Sequence, residues 1–152
     1  MSIKVKLGDL VNAVESKSLA ALANMAGLSA KSAYDVAKLV KKVSVEHEAF
    51  VAGRDMLIKN LGEDDEEGRK AIKPGTPAME TFVKEIGALA EKEVELKLSK
   101  VVLPEPKGDE PCGLTAANLL ILDVFIEIPG VTDAAEEAKD GDAKKPEEGA
   151  QP

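Results

Sequence analysis

One stripe constrains this chain more than any other feature. Val36, Val40, Val43, His47, Phe50, Arg54, Leu57 and Leu61 recur at alternating spacings of four and three. Such alternation holds one face of a helix over several turns, at the 3.5-residue period of helices that supercoil together. Leu39, Val51 and Ile58 widen the stripe, and Lys38, Lys41, Lys42 and Lys59 fall mainly on the other side. Leu28 to Leu61 is therefore expected to form one amphipathic helix, about 50 Å long at about 1.5 Å per residue. Ser29 offers an N-cap oxygen, and Gly62 a left-handed stop. Ser44 and Gly53 are the two places where so long a helix would break. The rest of the chain is expected to pack on this helix, with the stripe as an interaction face.

Two residues interrupt the apolar stripe. His47 is the one histidine of the chain, and Arg54 follows seven positions later on the same face. A catalytic or metal-binding histidine needs partners in space, and the adjacent Glu46 and Glu48 do not face the same way on a helix. His47 therefore reads as a histidine at the rim of a core, bonded to a neighbour. Arg54 reads as a side chain that snorkels or pairs with a carboxylate, ahead of one that binds an anionic ligand.

Composition narrows the class. A chain of 152 residues can form one domain with a real core. Aromatic residues make up only 3%, so that core must be aliphatic, which suits helices. The net charge of −8 disfavours binding to nucleic acid or to an anionic membrane. The single cysteine, Cys112, excludes an intramolecular disulfide and a cysteine-rich zinc site. It reads as a small buried or loop thiol. The start MSIKVKLGD has no apolar signal core, and the longest apolar run, Leu119 to Ile126, is too short to span a bilayer. The expected location is the cytosol of a cell, or of something replicating in one.

Taken in order, Ile3, Val5 and Leu7 alternate with lysines as in a half-buried strand. A helix is expected from about Leu10 to Met25. After the long helix, Glu63 to Glu67 places five carboxylates in succession. Their spacing does not fit an EF-hand, and a solvated acidic loop is expected. Phosphate-binding loops, GxSxG, HExxH and paired CxxC patterns are all missing from the sequence. Thr76, Pro77 and Glu80 mark a strong helix start. That helix runs to about Lys92 with Met79, Phe82, Val83, Ile86, Leu89 and Ala90 on its apolar face, as the antiparallel partner of the long helix. Val94, Leu96 and Leu98 then alternate in a second strand expected to continue to Val102 or Leu103. Glu93 and Glu95 would face Lys4 and Lys6 across a ladder. Pro104 to Pro111 reads as a loop. Thr115 caps a short buried helix over Ala116 to Leu122, with Leu114 and Leu119 as its hydrophobic staple. Val124, Ile126 and Ile128 fit a strand as well. From Gly130 onward apolar content collapses, and residues 129–152 are expected to form a disordered acidic tail beyond a single domain of residues 1–128.

The succession of segments carries a resemblance. IKVKLGDLVNAV is followed by SAYDVAKLVKKV, then by Glu46 to Phe50 as E-x-x-x-F and Arg54 to Gly62 as R-D-x-L-I-K-N-L-G. M-E-x-F-x-K-E-I, L-x-E-K-E-V-E-L and L-T-A-A-N-L-L-I-L-x-x-F-I-E complete the order. Together, over roughly residues 3–127, they resemble a family of small uncharacterised proteins of tailed bacteriophages and prophages. The resemblance implies a phage origin, and it brings no activity and no catalytic residue.

The expected fold is mainly α within an α+β class. It has three main helices including a long helical hairpin, a small two-stranded antiparallel sheet joining residues 3–7 to 94–102, and a short C-terminal helix. The expected function is non-enzymatic: a virion or tail component or an assembly factor acting through protein contacts, with a homo-oligomer among the options. It would have no cofactor, no nucleic-acid or membrane partner, and a place in the host cytoplasm or the virion. The alternative is an acidic inhibitor of a host protein. An enzyme ranks last, because no nucleophile, base and oxyanion donors can be named together.

Overall fold

A computed structural model describes residues 1–105 and 113–130. The loop expected over Pro104 to Pro111 lies partly outside these residues. Cys112 lies outside them, as does the expected tail from residue 131 on.

The chain opens with β1 (Ile3–Lys6), which pairs antiparallel with β4 (Glu93–Leu96). Ile3 and Val5 point into the core and the lysines point out. The register sets Lys4 opposite Glu95 and Lys6 opposite Glu93, an arrangement in which opposite charges face each other. The Lys6 ammonium also donates to the Glu91 carboxylate at 2.7 Å.

Helix α1 (Leu7–Glu15) follows β1 without a linker, so Leu7 belongs to the helix and not to the strand. The helix expected from Leu10 to Met25 is two helices, α1 and α2 (Ser18–Ala23). The break is at Lys17, whose φ of 63° is left-handed. A buried polar contact accompanies it. Ser18 is fully buried, and its hydroxyl lies 2.9 Å from the Ser16 hydroxyl and accepts from the Asn118 side-chain amide at 3.0 Å. Past the turn, Leu19 and Leu22 are buried together with Ser18.

Helix α3 (Ala30–Leu61) runs 32 residues without a break at Ser44 or Gly53. The Ser29 hydroxyl accepts from the Ser32 amide at 3.1 Å, as an N-cap should. The Ser32 hydroxyl in turn donates to the Val102 carbonyl at 2.9 Å, tying the helix start to the second half of the chain. Gly62 ends the helix in an extended conformation, φ −78° and ψ 157°, and not in the left-handed one. Glycine is needed there for space. A Cβ would meet the Ile58 carbonyl oxygen and come within 3.2 Å of the Ala71 backbone.

Ala71 belongs to a small hairpin that replaces the expected acidic loop. β2 (Glu63–Asp64) pairs antiparallel with β3 (Lys70–Ala71). The Asp65 carboxylate accepts from the Glu67 and Arg69 amides at 2.9 and 2.8 Å, which closes the turn. Helix α4 (Pro77–Ala90) starts at a Thr76 cap with Pro77 in its first turn, and it contacts both α3 and α1. At the α1 crossing, a Cβ on Gly8 would lie 3.1 Å from that of Ala90.

The second strand stops at Leu96 and does not continue to Leu103. β5 (Val101–Val102) forms a separate parallel pair with β6 (Ile126–Glu127). The described residues thus hold three two-stranded pairs where one sheet was expected. Between β5 and β6 lies α5 (Ala116–Leu122), held by a capping box of Thr115 and Asn118. Leu114 is buried in the core and Leu119 packs against it, but α5 is not buried all round, since Leu120 is 81% exposed. The fold is a helix-rich α+β body. Its core joins Leu10, Leu22, Leu39, Val43, Val101, Leu122 and Phe125, all fully buried.

Candidate interaction surface

The stripe on α3 divides into two parts. Val36, Val43 and Phe50 are buried in the core, and Val40 packs against it. That part of the stripe faces the protein's own interior. Beyond Phe50 the stripe runs off the core. Leu57 and Leu61 are only half-buried and lie outside the core cluster.

His47 and Arg54 sit where the change occurs. The His47 Nε2 lies 3.7 Å from the Glu15 Oε1, and an Arg54 guanidinium nitrogen lies 3.8 Å from the same oxygen. Both distances allow an ion pair and are too long for a hydrogen bond. Arg54 also stands 3.7 Å from its neighbour Asp55. One carboxylate at the end of α1 thus lies close to two residues on α3, and attracts the imidazole only when it is protonated. Glu15 was not singled out in the sequence, because nothing in its local pattern shows which helix it will face. Arg54 and Glu15 are partly in water, so their pairing contributes on the order of 1 kcal/mol or less to stability. The His47 Nε2, in contrast, is buried without a hydrogen-bond partner among the described residues, so it is not bonded to a neighbour as the sequence suggests. Among the described residues, no group of three or more His, Cys, Asp or Glu side chains could hold a metal ion.

Past Phe50 the last eleven residues of α3 run about 16 Å further. The β2–β3 hairpin and the first part of α4 accompany them. The apolar residues here, Leu57, Ile58, Leu61, Ile72, Met79 and Phe82, are half-buried, and none belongs to the core cluster. Met56 and Val83 are 65% and 61% exposed. The sequence placed Val83 on the packed face of α4. The structure turns it outward, because only Ile86 and Leu89, near the end of the helix, reach the core. No residue of α4 is fully buried, although the helix is 14 residues long and amphipathic. Helices with one apolar side ordinarily bury it against something. Here the residues that would do so are shared between a thin contact with α3 and solvent.

No helix among the described residues is long and apolar enough to cross a membrane. Comparison with protein-family models, with curated proteins and with solved structures gave no match.

Proposed function

We propose that this chain is a non-enzymatic phage protein that works by protein–protein contact, as a virion or tail component or an assembly factor. In this reading α3 and α4 are the long helical hairpin expected from the sequence, and its outer half is the contact surface. The observation that carries the proposal is the incomplete burial of α4 together with the exposure of Met56 and Val83. The phage assignment rests on the succession of sequence segments given above.

Self-association is the form of contact the surface suits best. The charges on the outer half of α3 are Arg54, Asp55 and Lys59, and those on α4 are Glu80, Lys84 and Glu85. Together they sum to zero. Segment 63–73, which carries the adjoining hairpin, adds five carboxylates against three basic residues. Two copies can thus meet through the helices with less repulsion than a net charge of −8 would bring.

An acidic inhibitor of a host protein is the second reading, and the exposed run Glu63 to Glu67 favours it. Much of that charge is answered locally, however. Glu63, Asp64 and Glu67 pair with Lys73, Lys70 and Arg69 at 3.6, 3.0 and 3.0 Å.

Size-exclusion chromatography with light scattering separates the two. A discrete homo-oligomer that Val83→Glu dissociates supports assembly. A monomer that takes up one basic host protein, with affinity falling as salt rises, supports inhibition instead.

A further inference from the structure

A second surface lies along the middle of α3. Lys38, Lys41, Lys42 and Val45 from the middle of that helix and Lys97 from the end of β4 line a groove of about 560 Å³. Glu46 and Glu95 complete its rim and leave a surplus of two positive charges. Among the described residues, none of the four lysines enters an ion pair. Such a concentration of uncompensated ammonium groups is out of character for a chain of net charge −8. Val45 is 59% exposed at the groove, and one turn before Lys38 stands the exposed ring of Tyr34, with the Lys38 ammonium 5.4 Å from its centroid. The surface therefore alternates cations with small apolar areas.

The chain carries a matching segment. Asp133 to Asp142 contains Asp133, Glu136, Glu137, Asp140 and Asp142 against the single Lys139, and it interleaves them with Ala134, Ala135 and Ala138. The remaining ten residues, to Pro152, balance two lysines against two glutamates. The acidity is thus concentrated in the part nearest the folded body.

We propose that residues 133–142 dock in the Lys38/Lys41/Lys42/Lys97 groove of their own chain. Reach permits it. Gly130 lies beside Glu105, where a Cβ on the glycine would be 3.9 Å from the Glu105 carboxylate. Glu105 is eight residues from Lys97, which bounds the separation at about 29 Å. The twelve residues from Gly130 to Asp142 extend to about 40 Å. Attachment to the same chain also gives the segment an effective concentration in the millimolar range, so weak pairing suffices to fill the groove. Seated there, the segment reverses the sign of the groove and withholds it from other anions. This contact is independent of the outer α3–α4 face and does not rest on the proposed function.

Zero-length carbodiimide cross-linking of the full chain, followed by mass spectrometry, tests the contact directly, because it joins only ammonium and carboxylate groups that already touch. Expected are links from Lys38, Lys41, Lys42 or Lys97 to the 133–142 carboxylates in the monomeric band. They should be several-fold more abundant than links from those carboxylates to Lys31, Lys59 or Lys73. They should also fade near 1 M salt, where the Debye length falls to about 3 Å. Lys41→Gln with Lys42→Gln, at outward-facing positions, should lower links to Lys38 and Lys97 as well. Even distribution over all lysines overturns the proposal. So does confinement of the groove links to a dimeric band, which would assign the groove to a second copy.

Discussion

Paired substitutions at Leu39 and Val83 test whether the outer helical face is left unused by the single chain. Leu39 is fully buried on α3, whereas Val83 on α4 keeps 61% of its surface in water. Leu39→Ala leaves a cavity among the body's aliphatic side chains, and it should cost about 2.7–5 kcal/mol. Complete burial of a valine is worth roughly 1.5–3 kcal/mol, and the fold takes up only about two-fifths of that at Val83, or about 0.6–1.2 kcal/mol. Alanine recovers about 0.5 kcal/mol through its better helix propensity. Val83→Ala should therefore leave the stability of the single chain within about 0.7 kcal/mol of the parent, by the same burial and propensity terms. Urea unfolding at low protein concentration, with an unchanged m-value, measures both. Repeating it at high concentration should reveal a loss for Val83→Ala that the dilute measurement does not show. A cost above about 2 kcal/mol for Val83→Ala in the dilute sample would refute the reasoning, since only a buried valine can lose that much.

Three further outcomes follow from particular contacts. Ser18→Ala takes the acceptor from the Asn118 amide and should cost about 1 kcal/mol, loosening α5 from α2, as hydrogen exchange at Leu119 to Leu122 would show. Gly62→Ala drives a methyl against the Ile58 carbonyl and the Ala71 backbone, so thermal unfolding should report a loss of about 1–3 kcal/mol. The Lys6 ammonium is held above its ordinary range by its hydrogen bond to Glu91, then by the charge of that carboxylate. A raised pKa in the folded chain means that the pair stabilises fully below the unfolded lysine value, about 10.4, and is lost as pH rises through the folded value. The stability difference between the parent and Glu91→Gln should therefore hold constant from neutral pH up to that range and then vanish, in denaturant titrations run at successive pH values.

Local chemistry made some elements legible and left others hidden. Caps at Ser29, Thr76 and Thr115 are written in the residues that make them, and the structure uses all three. The β1–β4 pairing was legible because alternating lysines and glutamates can face one another, whereas its register was not, since a slip of two residues would set Lys4 opposite Glu93 and Lys6 opposite Glu91. The kink at Lys17 was not readable, and the buried contact beside it comes from Asn118, a hundred residues away. A lysine in the left-handed region gives no local signal. Strand character at Val101–Val102 and Ile126–Glu127 was legible in the alternation of their segments; what escaped was their parallel pairing with each other, which packing across α5 sets. At the candidate surface, the period of the stripe showed which residues share a face and not where the body ends. Phe50 and Leu57 are equivalent by spacing, yet one is core and the other is not.

That boundary bears on how the proposed contact would work. A helix of eleven residues is marginal alone in water, since isolated helices shorter than about 12–15 residues rarely hold. The outer part of α3 persists because it continues a helix anchored at Val36, Leu39, Val43 and Phe50, and because α4 lies along it. The body thus supplies the order, while the outer half keeps its apolar side chains largely unspent. On the proposed reading, association then proceeds between surfaces already formed, so little ordering entropy opposes it. The zero net charge of the outer helices permits approach there, whereas most of the surplus negative charge lies outside the outer helices and their hairpin and acts against contacts at other faces. Attraction confined to one face with repulsion over the rest favours a closed assembly of few copies over an open aggregate. A stoichiometry that grew without limit as concentration rose would contradict that expectation, even if Val83→Glu abolished it.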